Sequence, residues 1–170
     1  VNERLYIDGI EVRRVEVMNI LGSLVSGDGS EGPAVEHRIT QSWRCFHKWA
    51  HIFTSDATIT NKLHFWRKTV FRSMAWGIET LRTNDFLLGK LATAQKYMVR
   101  KMLGLKRRPL LDCEGRPHGV EPWLDYFKRS MSRSGTEIKK RNMCMKDLIH
   151  EERRRWASHI SRLGLDGKPE

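Results

Sequence analysis

The side chains of this 170-residue chain that could bind a metal or do covalent chemistry are scattered. Cys45, Cys113 and Cys144 are an odd number at wide spacings, which suits reduced thiols in an intracellular protein of nucleus or cytoplasm. A zinc site would have to recruit His118, His150 or His159, and no Cys-x-x-Cys pair anchors one. Ser158 and His159 are adjacent, and neighbours on a helix diverge by roughly 100°, so they make no nucleophile–base pair. Gly89-Lys90 lacks the upstream glycine of a phosphate-binding loop. Neither His-Glu-x-x-His nor Gly-x-Ser-x-Gly occurs, and no Asp-Asp pair or acidic triad is spaced for two Mg²⁺ ions. Glu151-Glu152 ahead of Arg153-Arg154-Arg155 fits a charge-balanced helix start. These residues describe a binding or structural module, not a catalyst.

What the chain has in quantity is positive charge. Its 31 Lys and Arg against 20 Asp and Glu leave a net +11. The excess is uneven: net −1 over residues 1–54, +6 over 55–104, +5 over 105–145 and +1 over 146–170. A field concentrated in this way attracts polyanions and makes their binding salt-dependent. At 39% hydrophobic and 30% charged, the chain is too apolar for disorder. No uncharged run approaches the roughly 18 residues of a membrane span, so no membrane partner is expected.

The elements that must position these charges change character along the chain. Leu5-Tyr6-Ile7 and Ile10-Glu11-Val12 flank Asp8-Gly9, a two-residue hairpin signal. Val15, Val17 and Ile20 to Val25 read as a further strand stopped at Gly27-Asp28-Gly29. From Pro33 the apolar period becomes helical, with Val35, Ile39, Trp43, Phe46, Ala50 and Phe53 inward and His37, Arg44, Lys48 and His51 opposite. A second helix opens at Thr58 and carries the stripe Ile59, Leu63, Trp66, Val70, Met74, Gly77, Ile78 and Leu81, with Phe65, Lys68 and Arg72 on its far side. A third follows Thr83, with Leu88, Leu91, Ala92, Gln95, Val99, Met102 and Leu103 inward and Gly104 as its C′ residue.

The expected fold is therefore mainly α. A small antiparallel β element over 1–30 precedes an up-down three-helix bundle over 31–104. Residues 105–122, with three of the five prolines, read as a linker. Helical segments over 123–163 follow: a weak one from Trp123 to Met145, interrupted at 132–135, and one from Lys146 to Leu163 with Leu148, Ile149, Trp156, Ile160 and Leu163 inward. Residues 164–170 read as a loose tail.

Five ordered segments carry a resemblance. Ile20 to Gly29 resembles the Tyr-Leu-Gly strand and turn that follow the palm in LINE-type, non-LTR retrotransposon reverse transcriptases, with Ile20 at the Tyr position. Arg38-Ile39 and Trp43 resemble the first thumb helix of that family. Met74-Ala75-Trp76-Gly77-Ile78-Glu79-Thr80 is similar to its Leu-Leu-Tyr-Gly-x-Glu-Thr segment. Arg100 to Leu105 is similar to its Arg-Arg-Ile-Leu-Gly ending. Arg153 to Leu163 resembles its terminal Arg-Trp-x-Gly-His helix, with Ser158 at the Gly position.

The resemblance implies the end of the palm, the thumb and a C-terminal extension of an RNA-directed DNA polymerase. The catalytic aspartates and their Mg²⁺ would then belong to a palm upstream of Val1, leaving no catalytic residue and no cofactor here. The implied role is to grip a template–primer duplex, RNA or RNA·DNA, through its backbone, since phosphate contacts hold a duplex without reading sequence. The candidate contacts are Lys90, Lys96, Tyr97, Arg100 and Lys101 on the third helix, Lys106, Arg107 and Arg108 behind them, and Lys68 and Arg72 on the second. Leu21 and Gly22 would support the primer end, by resemblance. The palm of the parent polymerase is the other expected partner.

Trp43, Trp66 and Met74 are read as core. Two alternatives stand beside this reading. An unrelated helix-turn-helix DNA-binding module would need a recognition helix after a short turn, which the long paired helices fit poorly. A protein-interaction scaffold would present exposed aromatics, Phe65 and Phe71, to a partner.

Overall fold

The computed structural model describes residues 5–12, 15–20, 22–78, 80–81 and 83–162. The expected positions Leu21, Glu79 and Leu163 and the tail 164–170 lie outside them.

The described chain is mainly helical, with three two-stranded antiparallel ribbons. Strands β1 (Leu5–Ile7) and β2 (Ile10–Val12) close around Asp8 and Gly9, whose φ of 51° and 77° are the left-handed pair that Asp-Gly supplies at low cost. The single strand expected after them is a second hairpin. β3 (Val17–Ile20) pairs with β4 (Ser23–Ser26), and Gly22 at φ 81° lets the chain reverse.

Helix α1 (Gly32–Lys48) begins at Gly32, with Pro33 second in its first turn, then breaks at Trp49 into the short α2 (Ala50–Phe53). Thr58 caps α3 (Ile59–Lys68) through its hydroxyl, which accepts the Asn61 amide hydrogen at 3.3 Å. The second helix is not continuous. It breaks at Thr69, resumes as α4 (Val70–Ala75) and turns out at Gly77, φ 75°. Phe71 is buried beside Trp66, and Phe65 is half-buried against Trp49 and Phe53; neither is the exposed aromatic expected of a scaffold. Asn84, not Thr83, caps α5 (Asp85–Met102), because the Thr83 hydroxyl accepts from Arg153 instead. Gly104 ends α5 at φ 59°.

The stretch read as a linker carries a third hairpin, β5 (Pro109–Leu111) with β6 (Pro117–Val120). Helix α6 (Trp123–Lys140) runs unbroken through Ser132 to Gly135. The small residues there allow a close approach to α5: a Cβ at Gly135 would sit 3.8 Å from Lys96 Cε, and Ser130 and Ser134 are buried with their hydroxyls bonded to their own helix. Helix α7 (Met145–Ser161) buries Met145, Leu148 and Ile149, but Trp156 and Ile160, expected inward, stand exposed.

One core serves all of this. Val35, Phe46, Phe53, Leu63, Trp66, Met74, Leu91 and Val99 join Ile138, Met143, Leu148 and Ile149 in a single cluster, so α6 and α7 share the bundle's interior. Phe46 and Phe53 stack in parallel at 4.6 Å, and Trp66 donates its indole N–H to Met98 Sδ at 3.3 Å. Two buried polar side chains close backbone gaps. Lys62 Nζ donates to the Met102 carbonyl at 3.2 Å, and Gln95 Nε2 donates to that of Met143 at 2.7 Å.

Candidate nucleic-acid interface

The cations singled out in the sequence sort into three groups. The first flanks a groove of about 570 Å³ between α1 and α5. Lys90 pairs with Glu36 of α1 at 2.6 Å and sits 5.2 Å above the Phe86 ring. Lys101 sits 5.3 Å from the centre of the Trp43 ring. Trp43, expected as core, is half-buried and forms part of the groove wall, whereas Trp66 and Met74 are fully buried as expected.

The second group is covered by α6. The Arg100 guanidinium lies 5.1 Å from the Tyr97 ring and 5.5 Å from that of Phe127 on α6. Arg100 Nη1 is buried without a hydrogen-bond partner. The outer side of the third helix is thus shared with a helix that its own periodicity does not reveal. Lys96 remains exposed beside Gly135.

Lys106, Arg107 and Arg108 continue this group. Their backbone is pinned by an ion pair: Arg129 forks onto Glu121 through Nε at 2.8 Å and Nη2 at 2.6 Å, while Glu121 also accepts the Arg108 amide at 3.1 Å. Arg107 Nε donates to the Glu121 carbonyl at 2.7 Å, and Arg129 donates to that of Lys106 at 3.0 Å. The Arg129 hydrogen bond, helped by the Arg108 amide, holds the Glu121 carboxyl down at about 2, and the same contact raises Arg129. All three basic side chains of 106–108 are exposed above this clamp.

The third group belongs to α7. Arg72 bonds Glu152 at 2.8 Å, Arg67 bonds Glu151 at 2.6 Å, and Arg155 reaches both carboxylates at 2.5 and 3.1 Å. Lys68 is exposed beside this lattice. Arg72 therefore ties α4 to α7, with its charge largely matched.

Gly22 sits at a different place. Its carbonyl accepts from Arg38 of α1, and Arg38 also lies 3.5 Å from Ser23 Oγ. On the other side, Gly77 packs so closely that a Cβ there would meet Ser23 Oγ at 2.6 Å. Arg153 of α7 donates to the Leu81 carbonyl and the Thr83 hydroxyl, both at 2.7 Å. Periodicity could not foresee these joints, because Arg38 reads as an ordinary polar position yet is buried. Phe86 was missed because it precedes the buried pair Leu87-Leu88 and lies off the stripe.

Among the described residues, no group of three His, Cys, Asp or Glu is placed to hold a metal ion, and no helix is long and apolar enough to cross a membrane. No family model matches this chain, and neither the curated proteins nor the solved structures searched contain a match.

Proposed function

We propose that this chain is the thumb and C-terminal extension of a non-LTR retrotransposon reverse transcriptase, which grips a template–primer duplex while an upstream palm does the chemistry. The carrying observation is a convergence of the segments that resemble that family. Gly22-Ser23 of the first, Arg38 of the second and Gly77 of the third meet at one point. The fifth, through Arg153, is tied to Leu81 and Thr83, directly after the third. Segments far apart in sequence that share one joint in the fold support reading them as parts of a single architecture, with the Gly22 carbonyl held by Arg38.

The exposed cations Lys96, Lys101, Lys106, Arg107 and Arg108 supply backbone contacts that read no sequence. A contact set of about four phosphates loses about 10²-fold in affinity between 50 and 200 mM salt. Fluorescence anisotropy on a labelled RNA·DNA duplex checks this, and a flat salt response refutes it. The same duplex, primed and supplied with Mg²⁺ and dNTPs, should not be extended; template-directed incorporation would overturn the assignment of chemistry to another domain.

A second reading is favoured by the β1–β2 hairpin, where Tyr6, Ile7, Ile10 and Val12 are all exposed. A two-stranded ribbon so apolar is marginal alone and suits a protein surface. In the same architecture that surface is the palm, so both readings hold together.

A further inference from the structure

The groove between α1 and α5 is built unlike the rest of the basic surface. Ile39, Trp43, Phe86 and Tyr97 line it, with Lys90 at its rim. Phe86 is 70% exposed, although it is a large aromatic ring. Each of the three rings already carries a cation: Lys90 on Phe86 at 5.2 Å, Lys101 on Trp43 at 5.3 Å and Arg100 on Tyr97 at 5.1 Å. Glu36, the Lys90 partner, is the carboxylate paired at this rim. Asp85, next to Phe86, is paired with Lys146 at 2.9 Å.

We propose that this groove binds an unpaired stretch of single-stranded nucleic acid, with a base stacked on Phe86 and a flanking phosphate on Lys101. This rests on the nucleic-acid reading above and adds a ligand class to it. Duplex bases hide their faces in the stack, so a duplex offers phosphates but nothing to fill an apolar trough. An unpaired strand offers both, and aromatic platforms flanked by cations are how such strands are held without sequence preference. From Phe86 to Tyr97 the helix advances about 16 Å, room for a short run of nucleotides rather than a single one. Charge selects the occupant: Lys101 at the Trp43 wall is exposed and meets no carboxylate among the described residues, a charge from which an apolar protein segment would gain nothing.

The test uses the full chain and two probes, a labelled twelve-nucleotide oligothymidylate and a labelled RNA·DNA duplex of equal length, both read by anisotropy. Phe86→Ala removes an exposed ring and should leave the fold intact by circular dichroism. Gly89→Leu fills the trough without altering charge, since Gly89 is helical and a Cβ there meets nothing within 4 Å. Each variant should weaken oligothymidylate binding at least about fivefold, with duplex affinity changed less than twofold. Unchanged single-strand affinity in both variants overturns the inference, as does an equal loss on both probes. A wild-type dimer in sedimentation that Phe86→Ala dissociates, without single-strand binding, would assign the groove to a second copy and also overturn it. If the wild-type chain binds duplex but not the single strand, this inference alone fails. If it binds neither, the proposed function fails too.

Discussion

Replacing Gly77 by alanine tests the joint at which the Gly22 hairpin, α1 and the end of α4 meet. Two costs arise from separate features of the site. Gly77 has φ 75°, a left-handed conformation that costs an L-residue about 1–2 kcal/mol. The added Cβ would also lie 2.6 Å from Ser23 Oγ, closer than real Cβ atoms approach, and relief of such overpacking typically costs about 1–3 kcal/mol. Together these predict a loss of about 2–5 kcal/mol, read as a lower urea midpoint by far-ultraviolet circular dichroism. A second substitution separates the terms. In Ser23→Ala the nearest remaining atom is Cβ, 3.7 Å from the new methyl group, an ordinary contact. The double variant should therefore recover the steric part and retain the conformational part, about 1–2 kcal/mol. Ser23→Ala alone gives up little, because its contact with Arg38 is a long 3.5 Å. A Gly77→Ala cost below about 0.5 kcal/mol, or a double variant no more stable than the single, would refute the steric account of this joint.

Two further outcomes follow from the core and the clamp. Trp66→Ala should cost about 3–5 kcal/mol, because Trp66 is fully buried and its indole N–H is bonded to Met98; thermal unfolding measures it, and a loss under 1 kcal/mol would show that the core collapses around the gap. Glu121 titrates at about 2 when folded and near 4.5 when unfolded, so its contribution is complete above pH 4.5 and disappears as pH falls toward 2. Glu121→Gln should therefore flatten the acid limb of the stability curve in that window, and an unchanged limb would count against the Arg129 clamp.

The apolar stripes of α1, α3–α4 and α5 were legible because burial on one side of a helix imposes a 3.6-residue period. So was the Asp8-Gly9 turn, where only a few residue types tolerate both dihedrals. Less legible was whatever depends on a neighbour. The break at Thr69 leaves no composition signal, and Phe71, off the expected stripe, is buried beside Trp66. Gly135 and its serines read as an interruption because glycine lowers helix propensity, whereas in the fold they are the point of close contact with α5. Trp156 and Ile160 keep a helical period but lie where α7 is exposed from Arg154 onward, so period alone did not locate them. The candidate cations were found as residues but not as a surface, since whether a lysine meets solvent, a carboxylate or a ring is decided by another helix.

That α6 and α7 complete the bundle's own interior has a consequence for how the molecule can be cut or moved. A segment whose Ile138, Met143, Leu148 and Ile149 fill the same interior as Leu91 and Val99 cannot swing as an appendage. Chains ended before Trp123 would present a raw oily flank to water and clump, and any motion of the grip must carry its rear half along as one piece.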